Sequence, residues 1–445
     1  MSVRLALTFV ACRLAIMQMG AVRIDSIPKV VPYDEASIGY AGDGDQRKNY
    51  TNHHLFVARI ESEHQKEGLE HLKEQFSSLD FWNPVFVMRN VSIRVPPEFT
   101  DPVKEILKKH KVAYTVASKN LQAWIDHEKI ENPQQNLFLL GSDPSRFNLN
   151  QYHSYDEISA YIDAIANRYS DVAQVSNIGS TYEGRQIKGL KISSGGKDKP
   201  VIWIDSGIHA HGYARTWSGD RMWRKNRVRF QGYSCQGVDP NRNFGYDFAG
   251  TGSNGDVCSD SYRGPQAFSE LESQAIRNGI QSLDKQVKMF FTLHSYGQLI
   301  MLPYGSGPRI QSRFYNDQLQ IARAGQRAIS AFSGVHYEVG TIQQLFLAAA
   351  GGAADWAHES GGIKYAYAIE LRDKGRFGFM LPASQIALTS EECYSAVIAM
   401  VDEMARKETG RPVLPAGQMA KGNGQGGANQ IPQTLTTLKW PPQWS

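Results

Sequence analysis

A chain of 445 residues exceeds one typical domain and suits two, and its 41% hydrophobic and 21% charged residues befit a protein with a buried core. The net charge of +4 is dispersed among 48 basic and 44 acidic residues, which gives no reason to expect nucleic acid or an anionic membrane as partner. No stretch is apolar for long enough to span a bilayer.

Residues 1–22 read as a secretory signal, with Arg4 before the apolar run Leu5 to Cys12, although Arg13 interrupts it. Residues 24–50 are polar and turn-rich. From Asn49 to His127 the pattern is that of a small α+β domain: a strand over 55–60, a helix over 64–77, strand alternation over 86–97, a helix over 102–109 and a strand over 113–118. Leu121, Trp124 and Ile125 mark a last short helix. Such a domain ahead of a larger one is either a binding module or an inhibitory segment. Residues 128–147 form a polar linker in which Arg146 is a site for a protease.

A second domain, 148–406, opens on the capping box Ser154-x-x-Glu157, followed by Ile158, Tyr161, Ile162 and Ile165 at helical spacing. The runs 201–209, 287–295 and 365–371 are nearly continuous in apolar residues and are expected to be strands buried on both faces. Ser269-x-x-Glu272 and Thr389-x-x-Glu392 read as further capping boxes, the latter opening a helix with Val397, Ile398 and Val401 on one face. Strands alternating with helices predict an α/β fold, a mostly parallel or mixed sheet flanked by helices. Residues 407–445 are rich in Gly, Gln and Pro and are expected to be a disordered tail. Of four cysteines, Cys235 and Cys258 bracket a Gly- and Asn-rich loop and make a plausible disulfide in an oxidising compartment, whereas Cys393 lies in a helical pattern as a buried thiol. None forms a C-x-x-C pair.

Each of the three core runs carries, at or near its end, a group that a core strand would not choose: His209, His294 and Glu370. Ligands of open α/β sheets bind beyond the carboxyl ends of the strands, so two imidazoles and a carboxylate there point to a metal with a nearby base. The surrounding blocks GIHA (207–210), DRMWRKNR (220–227), GVDPNRNFGYDFAGTGS (237–253), TLHSYGQLIMLPYG (292–305) and IELRDKGRFGFMLPASQI (369–386) resemble the carboxypeptidase A/B family of zinc metallopeptidases. LDFWNP and IRVPPE in the first domain resemble that family's activation pro-segment, a ferredoxin-like α+β unit over 49–127.

The resemblance implies a secreted, monomeric zymogen, activated by a protease near Arg146, that removes single residues from the C-termini of peptides with Zn2+ as cofactor. His209 and His294 match zinc ligands, and Glu370 matches the general base. Arg224 matches the arginine that stabilises the oxyanion, and Asn241 with Arg242 the pair that grips the free carboxylate. Tyr296 matches a residue lining the peptide groove. Ala354 stands where the family sets side-chain specificity, which implies aliphatic or aromatic residues. The family pattern breaks once. After Ala210 a block carrying the glutamate zinc ligand, a helix and a sheet strand is absent, which leaves the sheet incomplete and the activity of this sequence in question. His211 could stand in as a ligand, although residues i and i+2 of an extended strand share a face without converging. Leu347 replaces a substrate-binding tyrosine. A second reading is therefore a catalytically impaired member, or the product of a splice or gene-model variant, that at most binds peptides.

Overall fold

The structure, a computed structural model, describes residues 48–133, 143–196, 199–209, 220–307, 311–346 and 348–410. The proposed signal, residues 134–142 of the linker, His211, Leu347 and residues 411–445 of the tail lie outside the described residues.

In the first domain the sequence alternates apolar and polar residues so that each strand has one face for the helices. Its elements are β1 (His54–Ile60), α1 (Glu63–Gln75), β2 (Asp80–Phe81), β3 (Arg89–Val95), α2 (Thr100–Lys109), β4 (Ala113–Ser118) and α3 (Leu121–Glu131). The strands form an antiparallel sheet in the order β2-β3-β1-β4. Phe56, Ala58 and Ile60 of β1 alternate toward the core and meet Leu69 and Leu72 of α1 and Val103 and Leu107 of α2. Ser62 caps α1 by accepting from the Gln65 amide, a bond of about 1 kcal/mol in such positions. The strand expected over 86–97 is shorter, because Met88 takes a left-handed turn at φ 66° and leaves the ladder.

The second domain begins with α4 (Tyr155–Arg168), whose capping box at Ser154 and Glu157 forms as the spacing predicts. Then come β5 (Ala173–Ser180), β6 (Gln186–Ile192), β7 (Val201–Ser206), α5 (Leu271–Gln281), β8 (Val287–His294), β9 (Leu299–Leu302), α6 (Tyr315–Ser333), β10 (Glu338–Thr341), α7 (Ile342–Leu345), α8 (Ala353–Glu359), β11 (Tyr365–Glu370) and α9 (Ile386–Thr409). The central sheet runs β10-β9-β11-β8-β7 and is mixed. The β7–β8, β8–β11 and β9–β10 pairs are parallel and β9–β11 is antiparallel. Alternation along the central strands supplies both faces: Met289, Phe291, Leu293, Tyr365, Tyr367 and Ile369 pack in the cluster with α6 and α9. Phe290, Ala366 and Ala368 pack on the other side with Phe244 and Trp356.

Three local expectations are corrected. The run 201–209 is not buried on both faces. Its strand ends at Ser206 and every residue of it is half-buried, because β7 is the end strand of its sheet and pairs only with β8 among the described residues. Ser269 caps no helix: α5 starts two residues later, and the Ser269 hydroxyl donates to Glu270 and accepts from Asn243. Thr389 lies inside α9, where its hydroxyl donates to the Gln385 carbonyl. That helix also continues past 406 to Thr409, ending at Gly410 in the left-handed conformation.

The first domain packs across the second. Arg221 Nε and Nη2 donate to the two carboxylate oxygens of Glu128 at 2.9 and 3.0 Å, and Arg89 Nη2 meets Glu338 at 2.7 Å. The Trp82 ring packs on Phe379, and the Tyr50 hydroxyl donates to Asp220.

Candidate active site

Parallel pairing of adjacent strands places their carboxyl ends side by side. Glu370 is the last residue of β11 and His294 the last of β8, and the two are register partners. Ser206 at the end of β7 is in register with Leu293, and His209 lies three residues beyond it. The His209 and His294 rings consequently stand with centroids 5.3 Å apart. With metal–nitrogen bonds of about 2.0–2.1 Å, two imidazoles on one tetrahedral ion have centroids about 5.2 Å apart. The pair therefore fits two positions of a zinc ion. Glu370 is buried, and its Oε2 has no hydrogen-bond partner among the described residues. Burial raises its carboxyl to about 8, against the downward pull of Arg224. Burial first, then Arg224, lowers His294 to about 4, which keeps its imidazole neutral, the ligating form.

A residue that sequence reasoning did not single out organises the remainder. Asp239 is fully buried and N-caps the short turn Pro240–Arg242, accepting from the Asn241 amide at 3.0 Å. Its Oδ2 accepts from Arg224 Nε and Nη2 at 3.1 and 2.9 Å. Its Oδ1 lies 3.5 Å from His209 Nδ1. One carboxylate thus ties the imidazole to the arginine matched to the oxyanion role. The signal was present as D-P-N, an aspartate before proline at a helical turn, but that pattern announces a cap and not a hub.

Asn241 and Arg242 sit on the same turn. The Asn241 side-chain carbonyl accepts from the Ala353 amide at 2.9 Å, and Arg242 donates to the carbonyls of Gly252 and Asn241, each at 2.9 Å. The turn can approach Gly351 so closely only because that residue lacks a side chain: with φ at 72°, a Cβ there would sit 2.3 Å from the Arg242 carbonyl oxygen. Ala354 is buried on α8 in the apolar cluster of Phe244 and Trp356. Its neighbour Asp355 accepts from the Gly305 amide at 2.8 Å, and burial raises that carboxyl to about 7. Tyr296 is buried under the first domain, its hydroxyl donating to Asn83 at 3.1 Å and its ring edge-on to Phe379 at 5.0 Å. Cys235 and Cys258 form a disulfide, and Cys393 is a buried thiol.

Among the described residues, no group of three or more His, Cys, Asp or Glu side chains is arranged to hold a metal ion. The described donors thus fit two positions of a catalytic zinc and lack the third ligand, and His211 is not described.

The zinc carboxypeptidase family model matches residues 158–211 and 212–396, and the carboxypeptidase activation peptide model matches residues 56–128. Carboxypeptidase A2 of Mus musculus is 35% identical over 387 residues, covering 76% of this chain and 89% of the relative. Carboxypeptidase B of Astacus astacus is 38% identical over 287 residues, covering 55% of this chain and 94% of the relative. In each case the aligned length exceeds the stated share of 445 residues, so dozens of the relative's positions face gaps in this chain. The crystal structure of thrombin activatable fibrinolysis inhibitor is similar with a TM-score of 0.70 at 27% identity, over 79% of this chain and 98% of that one. With both family models matched in order and relatives aligned along most of their length, the chain belongs to the zinc carboxypeptidase family and carries its activation peptide.

Proposed function

We propose that the chain is the secreted zymogen of a metallocarboxypeptidase that removes single aliphatic or aromatic residues from the C-termini of peptides, acting as a monomer. The observation that carries this reading is the convergence of His209, His294 and Glu370 at three adjacent strand ends, with Arg224 tied to the same cluster by Asp239. His209 and His294 would hold zinc, which supplies Lewis-acid polarisation of a scissile carbonyl. Glu370, buried and with an oxygen lacking a hydrogen bond, would in its ionised form accept the proton of an attacking water and return it to the departing amine. Arg224 would hold the oxyanion, leaving Asp239 to neutralise its charge before substrate arrives. Arg242 and the amide of Asn241 would bind the terminal carboxylate, and apolar Ala354 would leave the side-chain pocket without a charge.

Tyr296, capped by Asn83, supports the first domain as the occluding segment, since a groove residue held this way is closed to peptide. Arg146 is exposed at the end of a short turn, which supports cleavage there. The Cys235–Cys258 disulfide supports secretion.

A second reading, a catalytically impaired member or a variant product, is favoured by one specific observation. The family match breaks between 211 and 212, beside the position where the glutamate ligand is absent from the sequence. Two imidazoles without a third ligand hold zinc weakly. The test is elemental analysis of the folded chain after dialysis, followed by cleavage in the linker and an assay on a peptide ending in Phe. Stoichiometric zinc with release of that Phe supports the enzyme. A folded monomer with neither zinc nor release leaves the impaired reading.

A further inference from the structure

The first domain carries a histidine cluster that no step of the proposed chemistry uses. His64 and His71 lie on α1, and His110 is the residue that caps the end of α2. The His64 and His110 rings stand with centroids 5.0 Å apart, tilted by 39°. Between the two α1 histidines is Gly68, and the His110 ring lies against the bare helix there: a Cβ on Gly68 would be 2.5 Å from its Cγ and 2.6 Å from its Nδ1. His110 Nδ1 is buried and has no hydrogen-bond partner among the described residues. Burial, and then the neighbouring His64, Lys109 and His71, lower the pKa of the His110 ring from its ordinary value.

Two imidazoles bound to one ion through nitrogens at about 2.0–2.1 Å have ring centroids about 4.5–5.2 Å apart, from a square to a tetrahedral angle. The observed 5.0 Å falls inside that range. We propose that His64 and His110 form a two-imidazole site for a borderline transition-metal ion such as Zn2+, which clips α1 to the C-terminal end of α2. Water completes the coordination, so the site is weaker than a structural zinc with four protein ligands. Gly68 is part of the device, since only a residue without a side chain lets the His110 ring lie flat on α1 beside His64. Ligation at this pair is independent of the strand-end histidines and stands whether or not those hold zinc.

The test is Zn2+ titration by calorimetry on the full chain carrying His209→Ala and His294→Ala, which removes the other imidazole pair. One zinc per chain is expected. His64→Gln and His110→Gln should each weaken binding by about tenfold or more, because a single imidazole remains. Gly68→Ala should do the same without altering a ligand, and His336→Gln, an exposed control in the second domain, should change nothing. His64 is exposed, so its replacement does not threaten the fold. Absence of zinc binding in the starting variant overturns the proposal, as does unchanged affinity in His64→Gln or His110→Gln.

Discussion

The Glu128–Arg221 pair offers a quantitative test of how the activation segment is held. Each residue is only 9% exposed, and the guanidinium meets both carboxylate oxygens while Nη2 also donates to the Phe379 carbonyl at 2.8 Å. Removing one partner of a buried pair costs about 3–5 kcal/mol, because the other charge stays in a site that water reaches poorly. Retention of the Phe379 carbonyl places Glu128→Ala at the lower end, about 3 kcal/mol, which is roughly 150-fold in an equilibrium constant. Replacing both members by apolar side chains, Glu128→Leu with Arg221→Met, leaves no stranded charge and should recover most of that loss. The assay is the dissociation constant of the first domain after a single cut near Arg146, which leaves α3 attached to it. Expected is a roughly 150-fold weaker complex for Glu128→Ala and a double variant much closer to the unaltered chain. A single variant within about threefold of the unaltered chain would refute the reasoning, as would strictly additive losses.

Two further outcomes follow from the same packing. The neutral His53 ring accepts from Arg94 Nη1 at 3.1 Å, and burial, followed by Arg94, lowers its pKa from 6.5 to about 4. Its contribution is complete above pH 6.5 and is lost as pH falls toward 4, because the unfolded chain takes up the proton first. Urea denaturation of His53→Gln should accordingly show a flatter loss of first-domain stability between pH 7 and pH 4.5; an unchanged slope would exclude His53 as the titrating group. The Cys235–Cys258 disulfide closes a loop with a separation of 23 residues, for which chain entropy gives about 3 kcal/mol. Replacing both cysteines by serine should lower second-domain stability by that order in denaturant titration, and a loss below 1 kcal/mol would show that the loop is held by its own packing.

The candidate site was legible where chemistry and burial disagree along one strand. His294 and Glu370 end strands that are otherwise apolar, and a group with a strong demand for partners at such a place is visible in one dimension. Asp239 was not, because its importance lies in three partners that the chain brings from residues 209, 224 and 241. The capping boxes divide along the same line. Ser154 follows the non-helical residues 151–153, so the local pattern decides where its helix starts, whereas Ser269 is claimed by Asn243 from another segment and Thr389 is overrun by a helix that begins at Ile386.

The burial of β7 was misjudged for a reason that bears on function. Apolar composition tells that a strand wants two covered faces, but not whether a neighbour exists to flank it. Here β8 pairs with one side of β7, while β5 and β6 form a separate two-stranded sheet. The helix α5 touches both units: Gly279 lies against Trp203 of β7, and Gly179 of β5 against Ala275. The sequence breaks from the family pattern directly after β7, the family match is interrupted at the same place, and β7 is half-buried throughout. Among the described residues β7 has a partner on one side only; a strand edge of that kind is a template for pairing with other chains, and β7 is also the strand that leads into His209. The resemblance implies that one block carries both the glutamate ligand and a sheet strand, so a single segment would complete the metal site and the sheet. A third ligand supplied by such a segment would bring a cover for the edge of β7 with it, whereas one supplied by His211 would not, so zinc content and the burial of β7 together distinguish the two.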